Sequence, residues 1–412
     1  MFMNKRIRKL IRETFSEIKN SGKVTLSLDI PLTDDIMEIS KVFEDNEFKL
    51  FLVGGAVRDA VFAHVHNIKG KIPKDYDFAT DALPDQVEDI MKTAGLKTLP
   101  TGKAFGVINV FTKTGEYEIA TFRTDIGGGR RPDSVEFTTI DKDVLRRDLT
   151  INGLFYDINK HEVIDLVGGI SDLKNRVIKA IGDASDRFKE DKLRILRALR
   201  FAARFNTIPS KKTDAAIKAD NSPISANGIE LSANRIRDEF LKGIKTAVST
   251  VHFLKLIDEY DLWFWIFPSL SIDKSFAEEK DHVVLIANLL KGNDLIKIDK
   301  ILRKMTFTVN KGKDTNSVKE IPKIKFLISF LDFDISEVRD FKDSQLRADV
   351  SEDQIRKFSK LTNLDSKIVD TFIDFNNTVT GQELIDLGFS GRGIRDEQDR
   401  LEANNFKTFL RK

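Results

Sequence analysis

Asp75 and Asp77 stand two residues apart in the run Lys-Asp-Tyr-Asp-Phe-Ala, residues 74–79, downstream of Leu-Val-Gly-Gly-Ala-Val-Arg-Asp, residues 52–59. A strand repeats its side-chain direction every second residue, so the two acids would share one face, about 7 Å apart along the chain. Tyr76 and Phe78 would then face a core. Two carboxylates side by side repel each other unless a cation lies between them. Paired divalent ions about 3.5–4 Å apart clamp phosphates in polymerases. An exposed strand with two solvated acids would explain Asp-x-Asp alone equally simply.

Other residues of suitable chemistry lie close by in sequence. Gly54 and Gly55 separate an apolar strand from a helix start, an arrangement that lets backbone N–H groups meet a phosphate. Arg58 follows one turn later and could pair with a phosphate or with a neighbouring carboxylate. Glu118 alternates with apolar residues in Tyr-Glu-Ile-Ala-Thr-Phe-Arg, residues 117–123, and could add a third acid as metal ligand or base. Arg146, Arg147, Asp148, Thr150 and Asn152 crowd one short segment. A capped helix start accounts for part of that, and a ribose and triphosphate site would account for the rest. Asp191 and Arg194, three apart on an expected helix, would be neighbours on one face. A carboxylate beside a guanidinium offers an acceptor and donors that match the Watson–Crick edge of cytosine, and of adenine after a small tilt; an ordinary salt bridge is the simpler alternative.

Composition limits the chemistry available. The chain has 412 residues, 41% hydrophobic and 32% charged, a net charge of +2, five His and no Cys. Disulfides, thiolate metal sites and cysteine nucleophiles are excluded. Any metal should be hard and oxygen-ligated, Mg²⁺ or Mn²⁺. No apolar run is long enough to span a bilayer and no secretory signal is visible, so a cytoplasmic setting is expected. Basic residues are unevenly placed. Residues 1–20 hold six Lys/Arg against two Glu, and residues 187–204 carry Arg187, Lys189, Lys192, Arg194, Arg197, Arg200 and Arg204. Such stripes suit phosphate contact, or a solvated helix face.

The elements that would position these groups are legible in outline. Residues 4–20 read as a basic amphipathic helix, 23–30 as a strand, 34–46 as a helix, 48–53 as an apolar strand and 56–64 as a helix. Asp75–Phe78 reads as a strand, 84–94 as a helix, and 105–111 and 116–123 as a hairpin turning at Lys113-Thr114-Gly115. Gly127, Gly128, Gly129, Arg130 and Arg131 form a basic loop. Beyond residue 141 nearly everything reads as helices, with residues 186–201 one continuous helix buried through Phe188, Leu196, Leu199 and Ala203. The expected fold class is α+β, a sheet-containing head followed by an all-α part.

Eight runs, in order across residues 50–240, together resemble the class II CCA-adding tRNA nucleotidyltransferase family, which also contains bacterial poly(A) polymerases. They are residues 52–59, Asp-Tyr-Asp-Phe-Ala-Thr (75–80), Thr-Phe-Arg-Thr-Asp (121–125), Gly-Arg-Arg-Pro-Asp (129–133), Arg-Arg-Asp-Leu-Thr-Ile-Asn (146–152), Asp-Leu-Val-Gly-Gly (165–169), Arg-Phe-Lys-Glu-Asp-Lys-Leu-Arg (187–194) and Leu-Ser-Ala-Asn-Arg-Ile-Arg-Asp-Glu-Phe (231–240). Gly153 departs from the family's usual Ala. The resemblance implies a polymerase-β-like nucleotidyltransferase head at 31–145 after a basic extension at 1–30. A helical neck would follow at 146–210, a body at 211–320 and a tRNA-binding tail at 321–412.

It further implies transfer of CMP and AMP from CTP and ATP to a tRNA 3′ end, with two Mg²⁺ ions (Mn²⁺ as an alternative) held by Asp75 and Asp77, and no membrane or DNA partner. Asp75, Asp77 and Glu118 would be catalytic. Gly54, Gly55, Arg58, Arg147, Asp148, Asn152, Glu190, Asp191, Arg194 and Arg197 would bind nucleotide. Arg147 and Asp148 would lie around the ribose. Asp191 and Arg194 would read the base with Glu190 orienting them, and residues 127–131 would switch C to A addition. A poly(A) polymerase, a CC-only or A-only enzyme, and a catalytically silent RNA-binding protein remain the alternatives.

Overall fold

The computed structural model describes residues 23–73, 75–126, 134–224, 228, 230–308 and 320–411. The chain divides into two compact units, residues 1–231 and 232–412. The basic extension at 1–20 and the loop residues 127–131 lie outside the described residues.

The first unit is built on an eight-stranded sheet. Its strands are β1 (Val24–Ser27), β2 (Leu50–Val53), β3 (Asp77–Thr80), β4 (Lys97–Gly102), β5 (Val107–Phe111), β6 (Glu116–Thr121) and, after the separate hairpin β7 (Arg123–Ile126) and β8 (Ser134–Phe137), β9 (Leu154–Asp157) and β10 (Glu162–Asp165). The spatial order is β1-β10-β9-β2-β3-β6-β5-β4. β3 and β6 run parallel, and the other neighbours are antiparallel. β2 is buried at all four positions, as a central strand covered on both faces must be.

Register decides which side chains share a face. Leu52 pairs with Phe78 and Tyr156, and Phe78 with Ile119. That row, with Tyr117, lies under the helix Asp34–Asp45, whose Asp35 accepts a hydrogen bond from the Tyr117 hydroxyl at 2.8 Å. The opposite face carries Phe51, Val53, Ala79 and Phe155, packed with Phe122, Val144, Ile164 and Ile181. Val53 pairs with both Asp77 and Phe155, and Asp77 with Glu118. Asp77 and Glu118 therefore continue this second apolar row as its polar end.

Three sequence expectations are corrected. First, Asp75 is not in a strand: β3 begins at Asp77. Its partner β2 ends at Val53, where Gly54 turns the chain at φ +72°, so residues before 77 have no strand to pair with there. Tyr76 is half-buried, and its hydroxyl donates to Pro31 O at 2.9 Å instead of entering the core. Second, the chain does not become all helical at 141. β9 and β10 return to the sheet, which extends from residue 24 to 165 and so beyond 31–145 on both sides. Third, residues 186–201 are not one helix. Helices Ala184–Glu190 and Leu193–Phe205 are separated at Asp191, whose backbone is extended at φ −146° and ψ 106°. Phe188, Leu196, Leu199 and Ala203 are all buried as expected.

The second unit is helical, from Ala233–Thr246 to Arg392–Arg411. Aromatic rings fill its interior: Phe240 meets Phe253, Trp263 and Phe267, and Phe333 meets Phe330, Phe341, Phe372 and Phe406. Many of its helices start on a side-chain cap, such as Asp281, Asp294, Ser351, Asp365 and Thr380. Among the described residues, no helix is long and apolar enough to cross a membrane.

Candidate active site

Asp77 is held by its backbone in two directions. The β3–β6 register sets it directly beside Glu118, and a Cβ built on Gly54 would lie 3.2 Å from its Oδ2. Gly54 thus supplies both the positive φ that ends β2 and the space for the carboxylate. Burial, then the charge of Asp75, pushes the Asp77 carboxyl up, with Arg147 pulling the other way. Burial and the charge of Asp77 likewise raise Glu118, opposed by Arg123. Asp75 is therefore an electrostatic neighbour of Asp77 although the two do not share a strand. The charge of Asp75 thus disfavours ionisation of Asp77, and that of Asp77 disfavours ionisation of Glu118, which is the condition a bound cation relieves.

Among the described residues, no three His, Asp or Glu side chains form a closed cation cage. The set fits Mg²⁺ nonetheless, because that ion is usually held by one or two carboxylates together with substrate phosphates and waters.

Arg147 is placed toward Asp77 by two contacts. Its guanidinium lies 4.7 Å over the Phe155 ring, in the row that contains Val53 and Asp77. Its Nε and Nη2 donate to Asp143 Oδ2 at 3.2 and 3.0 Å. Asp143 Oδ1 accepts from Arg146 Nε at 2.8 Å and from the Arg123 backbone N–H at 3.2 Å. One buried carboxylate therefore fixes two consecutive arginines. Burial alone would raise the Asp143 carboxyl, but the charges of Arg147 and Arg146 and the bonds they make hold it below the ordinary range. Asp143 was absent from the sequence-derived site. Its position three and four residues before the two arginines was the available signal.

A second network lies behind this one. Asn152 Oδ1 accepts from Arg58 Nη1 at 2.8 Å, and its Nδ2 donates to Asp148 Oδ1 at 2.9 Å. Asp148 Oδ2 accepts from Arg197 Nε at 2.7 Å, and its Oδ1 also accepts from the Leu149 N–H. The chain of contacts continues from Arg58 to Asp59 and from Asp59 to Arg204. Arg58 is 6% exposed and packs 4.5 Å over Phe201. Burial pulls its guanidinium down to about 10, opposed by Asp59, so it stays charged at neutral pH.

Burial would raise Asp148, but Arg197 and the hydrogen bonds outweigh it and hold its carboxyl low. Both Asp148 oxygens are engaged within the protein, so meeting a ribose hydroxyl requires one of these bonds to be exchanged. The structure thus joins Arg58, Asp148, Asn152 and Arg197 into one network spanning helix Gly55–Val65, the turn Thr150–Asn152 and helix Leu193–Phe205.

The third group surrounds the helix break. Glu190 Oε2 accepts from Arg187 Nη1 at 2.9 Å and from Arg194 Nη1 at 2.6 Å. Arg194 Nη1 also donates to Arg187 O, and its Nη2 reaches Arg146 O at 3.4 Å. Asp191 Oδ1 accepts from the Leu193 N–H. Asp191 and Arg194 are therefore not i,i+3 neighbours within one helix; they stand on either side of a turn, with Glu190 bound to Arg194.

The glycine at 153, where the resemblance implies alanine, has a local cause. A Cβ there would lie 2.8 Å from Val167 Cγ2, 3.0 Å from Val144 Cγ2 and 3.2 Å from Ile181 Cδ1. The two valines and the isoleucine already fill the space a methyl would need.

Residues 50–179 match the family model described as Poly A polymerase head domain. Curated relatives include a CCA-adding enzyme of Lactobacillus helveticus, 39% identical over 210 residues that cover 50% of this chain and 48% of the relative. A CCA tRNA nucleotidyltransferase 1, mitochondrial, of Danio rerio is 34% identical over 286 residues, covering 66% of this chain and 63% of that one. The chain spans about half the length of the bacterial curated relatives it matches.

Among solved structures, the Bacillus stearothermophilus CCA-adding enzyme in complex with CTP has TM-score 0.63 at 21% identity, covering 89% of this chain and 91% of that chain. The Thermotoga maritima CCA-adding enzyme complexed with tRNA-CCA has TM-score 0.59 at 19% identity, covering 92% and 95%. At these identities the structures establish a common fold. Residues 50–179 thus match a Poly A polymerase head domain, the sequence is similar to CCA-adding enzymes over about half to two thirds of its length, and the chain shares the fold of solved CCA-adding enzymes.

Proposed function

We propose that this chain adds or repairs the 3′-terminal CCA of tRNA, using CTP and ATP without a nucleic-acid template. The observation that carries the reading is the β3–β6 register, which sets Asp77 beside Glu118 with Gly54 against one and Arg147 facing it. In the reaction implied, the RNA 3′-hydroxyl attacks the α-phosphorus, a new P–O bond forms, and the bond to pyrophosphate breaks. When bound at Asp75 and Asp77, divalent metal (two Mg²⁺, with Mn²⁺ as a substitute) supplies acidification of the hydroxyl and charge neutralisation on pyrophosphate.

The chain's own groups do the rest. Glu118, made more basic by its surroundings, accepts the hydroxyl proton directly or through water. Arg147, oriented by Asp143, faces the phosphates, and the N-terminus of helix Gly55–Val65 adds backbone donors. The Asp148–Asn152–Arg58–Arg197 network frames the ribose. Asp191 and Arg194, with Glu190, read the base edge. Residues 127–131 are the proposed switch from C to A addition, residues 211–320 and 321–412 the proposed body and tail for tRNA, and a cytoplasmic location fits that substrate. Positioning and electrostatics account for most of the rate in such a site.

A poly(A) polymerase is the second reading, favoured by the match of the head to a model of that description. CC-only and A-only addition are narrower variants of the first.

The test is pyrophosphate release with Mg²⁺, CTP, ATP and a tRNA lacking its CCA. Nucleotide incorporation should match pyrophosphate released one for one, and the combined Asp75→Asn, Asp77→Asn variant should be inert. A wild-type chain that binds the tRNA and incorporates nothing would instead be a silent RNA-binding protein.

A further inference from the structure

Lys192 is a buried cation that none of the groups above uses. Its side chain is 1% exposed, and its Nζ lies 2.6 Å from Asp220 Oδ2. The same Nζ donates to Asp220 O at 3.3 Å. Asp220 terminates a separate helix, Lys211–Ala219, and keeps 43% of its own side chain exposed. An ammonium is taken from water at this depth only when it is paired.

The location of Lys192 gives the pair its meaning. Residues 186–201 contain no Gly or Pro, and their local pattern favours an unbroken helix. The helix is nevertheless interrupted at Asp191 and resumes at Leu193. A local cap, the Leu193 N–H on Asp191 Oδ1, contributes to this break, and a tertiary contact at the same place adds to it. Lys192 is the residue between the two helices, and its ion pair with Asp220 runs to another element. The break also decides how the flanking groups meet: Glu190 bonds Arg187 and Arg194 across it, while Asp191 caps the restarting helix through Leu193 N–H. Straightening the chain would turn Asp191 by the residue offset of a regular helix and draw Lys192 away from Asp220.

We propose that the Lys192–Asp220 pair holds the break open and is a positioning element for base selection, setting Asp191 and Arg194 in the geometry that accepts cytosine and adenine and rejects uracil. The inference rests on the reading that residues 190–194 select the nucleotide. Neither Lys192 nor Asp220 needs to touch substrate for it to hold. A cation that merely fills the core would affect stability and every nucleotide alike. A positioning residue affects the ratio between bases and leaves the grip on the phosphates unchanged.

The experiment is equilibrium binding of CTP, UTP and inorganic tripolyphosphate to the full chain and to Lys192→Met and Asp220→Asn. Wild type should hold CTP at least about tenfold more tightly than UTP, since mismatched hydrogen-bonding groups at a base edge are left unpaired. Lys192→Met, close to lysine in shape, should bring that ratio near one while tripolyphosphate binding stays unchanged. Asp220→Asn should move the ratio the same way by less, because its carboxylate is half-exposed, and the double variant should be no worse than Lys192→Met alone.

Variants that keep the wild-type ratio, or that weaken all three ligands equally, overturn the inference. If Lys192→Met does not fold, Asp220→Asn decides alone. A wild-type chain that binds CTP and UTP equally removes the selecting role of the turn and this inference with it, a failure visible before any substitution is made.

Discussion

Replacing Asp143 with Asn tests whether one carboxylate holds the arginines of the site. Asp143 is 1% exposed, and it accepts from Arg147 Nε and Nη2, Arg146 Nε and the Arg123 N–H. Asn keeps one acceptor oxygen and turns an amide donor toward a guanidinium. Breaking a buried ion pair by removing one partner costs about 3–5 kcal/mol. Arg146 and Arg147 retain 21% and 15% exposure, so water takes up part of the loss and about 3 kcal/mol is the working figure. For a folding unit of this size, that lowers a melting transition by roughly 6–12 °C.

Arg147 should then leave its place over Phe155, and the KM for nucleotide should rise about tenfold, the worth of one charged hydrogen bond. Calorimetry and initial-rate assays read the two effects. No transition moving by more than about 2 °C, with KM unchanged, would refute the assignment of Asp143 as the anchor.

Further expectations follow from other residues. Asp35 accepts hydroxyl bonds from Thr33, Thr112, Thr114 and Tyr117; burial would raise its carboxyl, but these bonds outweigh it and hold it far below the ordinary range. Its contribution is therefore fully present above the unfolded value near 4 and is lost as pH falls through the folded value, so the melting difference between wild type and Asp35→Asn should be constant from about pH 5 to 8 and shrink on acidification. Gly153→Ala should cost about 1–3 kcal/mol in urea unfolding, because the new methyl meets Val167, Val144 and Ile181. Asp77→Asn should abolish nucleotide transfer by at least about 10³ without lowering the melting temperature, since its charge is disfavoured in the fold by burial and by Asp75; a large loss of stability would mean that the carboxylate is structural.

Most strands and helices between residues 23 and 123 were legible because they carry their own period and breaker, such as Gly54-Gly55 after the buried run Leu50–Val53; β4 was not read, because Pro100 interrupts Lys97–Gly102 and argues against a strand. The return of β9 and β10 was not, because Leu154–Asp157 and Glu162–Asp165 are four residues each, too short for alternation to distinguish strand from helix. Asp77 and Glu118 could be named from the sequence as acids on strands. Their pairing depends on the parallel β3–β6 register, which no local pattern encodes. The break at Asp191 was missed for a related reason. No Gly or Pro stands between residues 186 and 201 to stop a helix, and Asp220, the partner of the buried Lys192, lies 28 residues away. Asp143 was not singled out, although its spacing to Arg146 and Arg147 was in view.

The most direct test of the account is the length of the product made on a tRNA that lacks its terminal CCA, resolved to single nucleotides. With Mg²⁺ and CTP alone, the account predicts arrest after two additions; with CTP and ATP together, arrest after three. A long ladder grown from ATP alone would contradict it and make the chain a poly(A) polymerase.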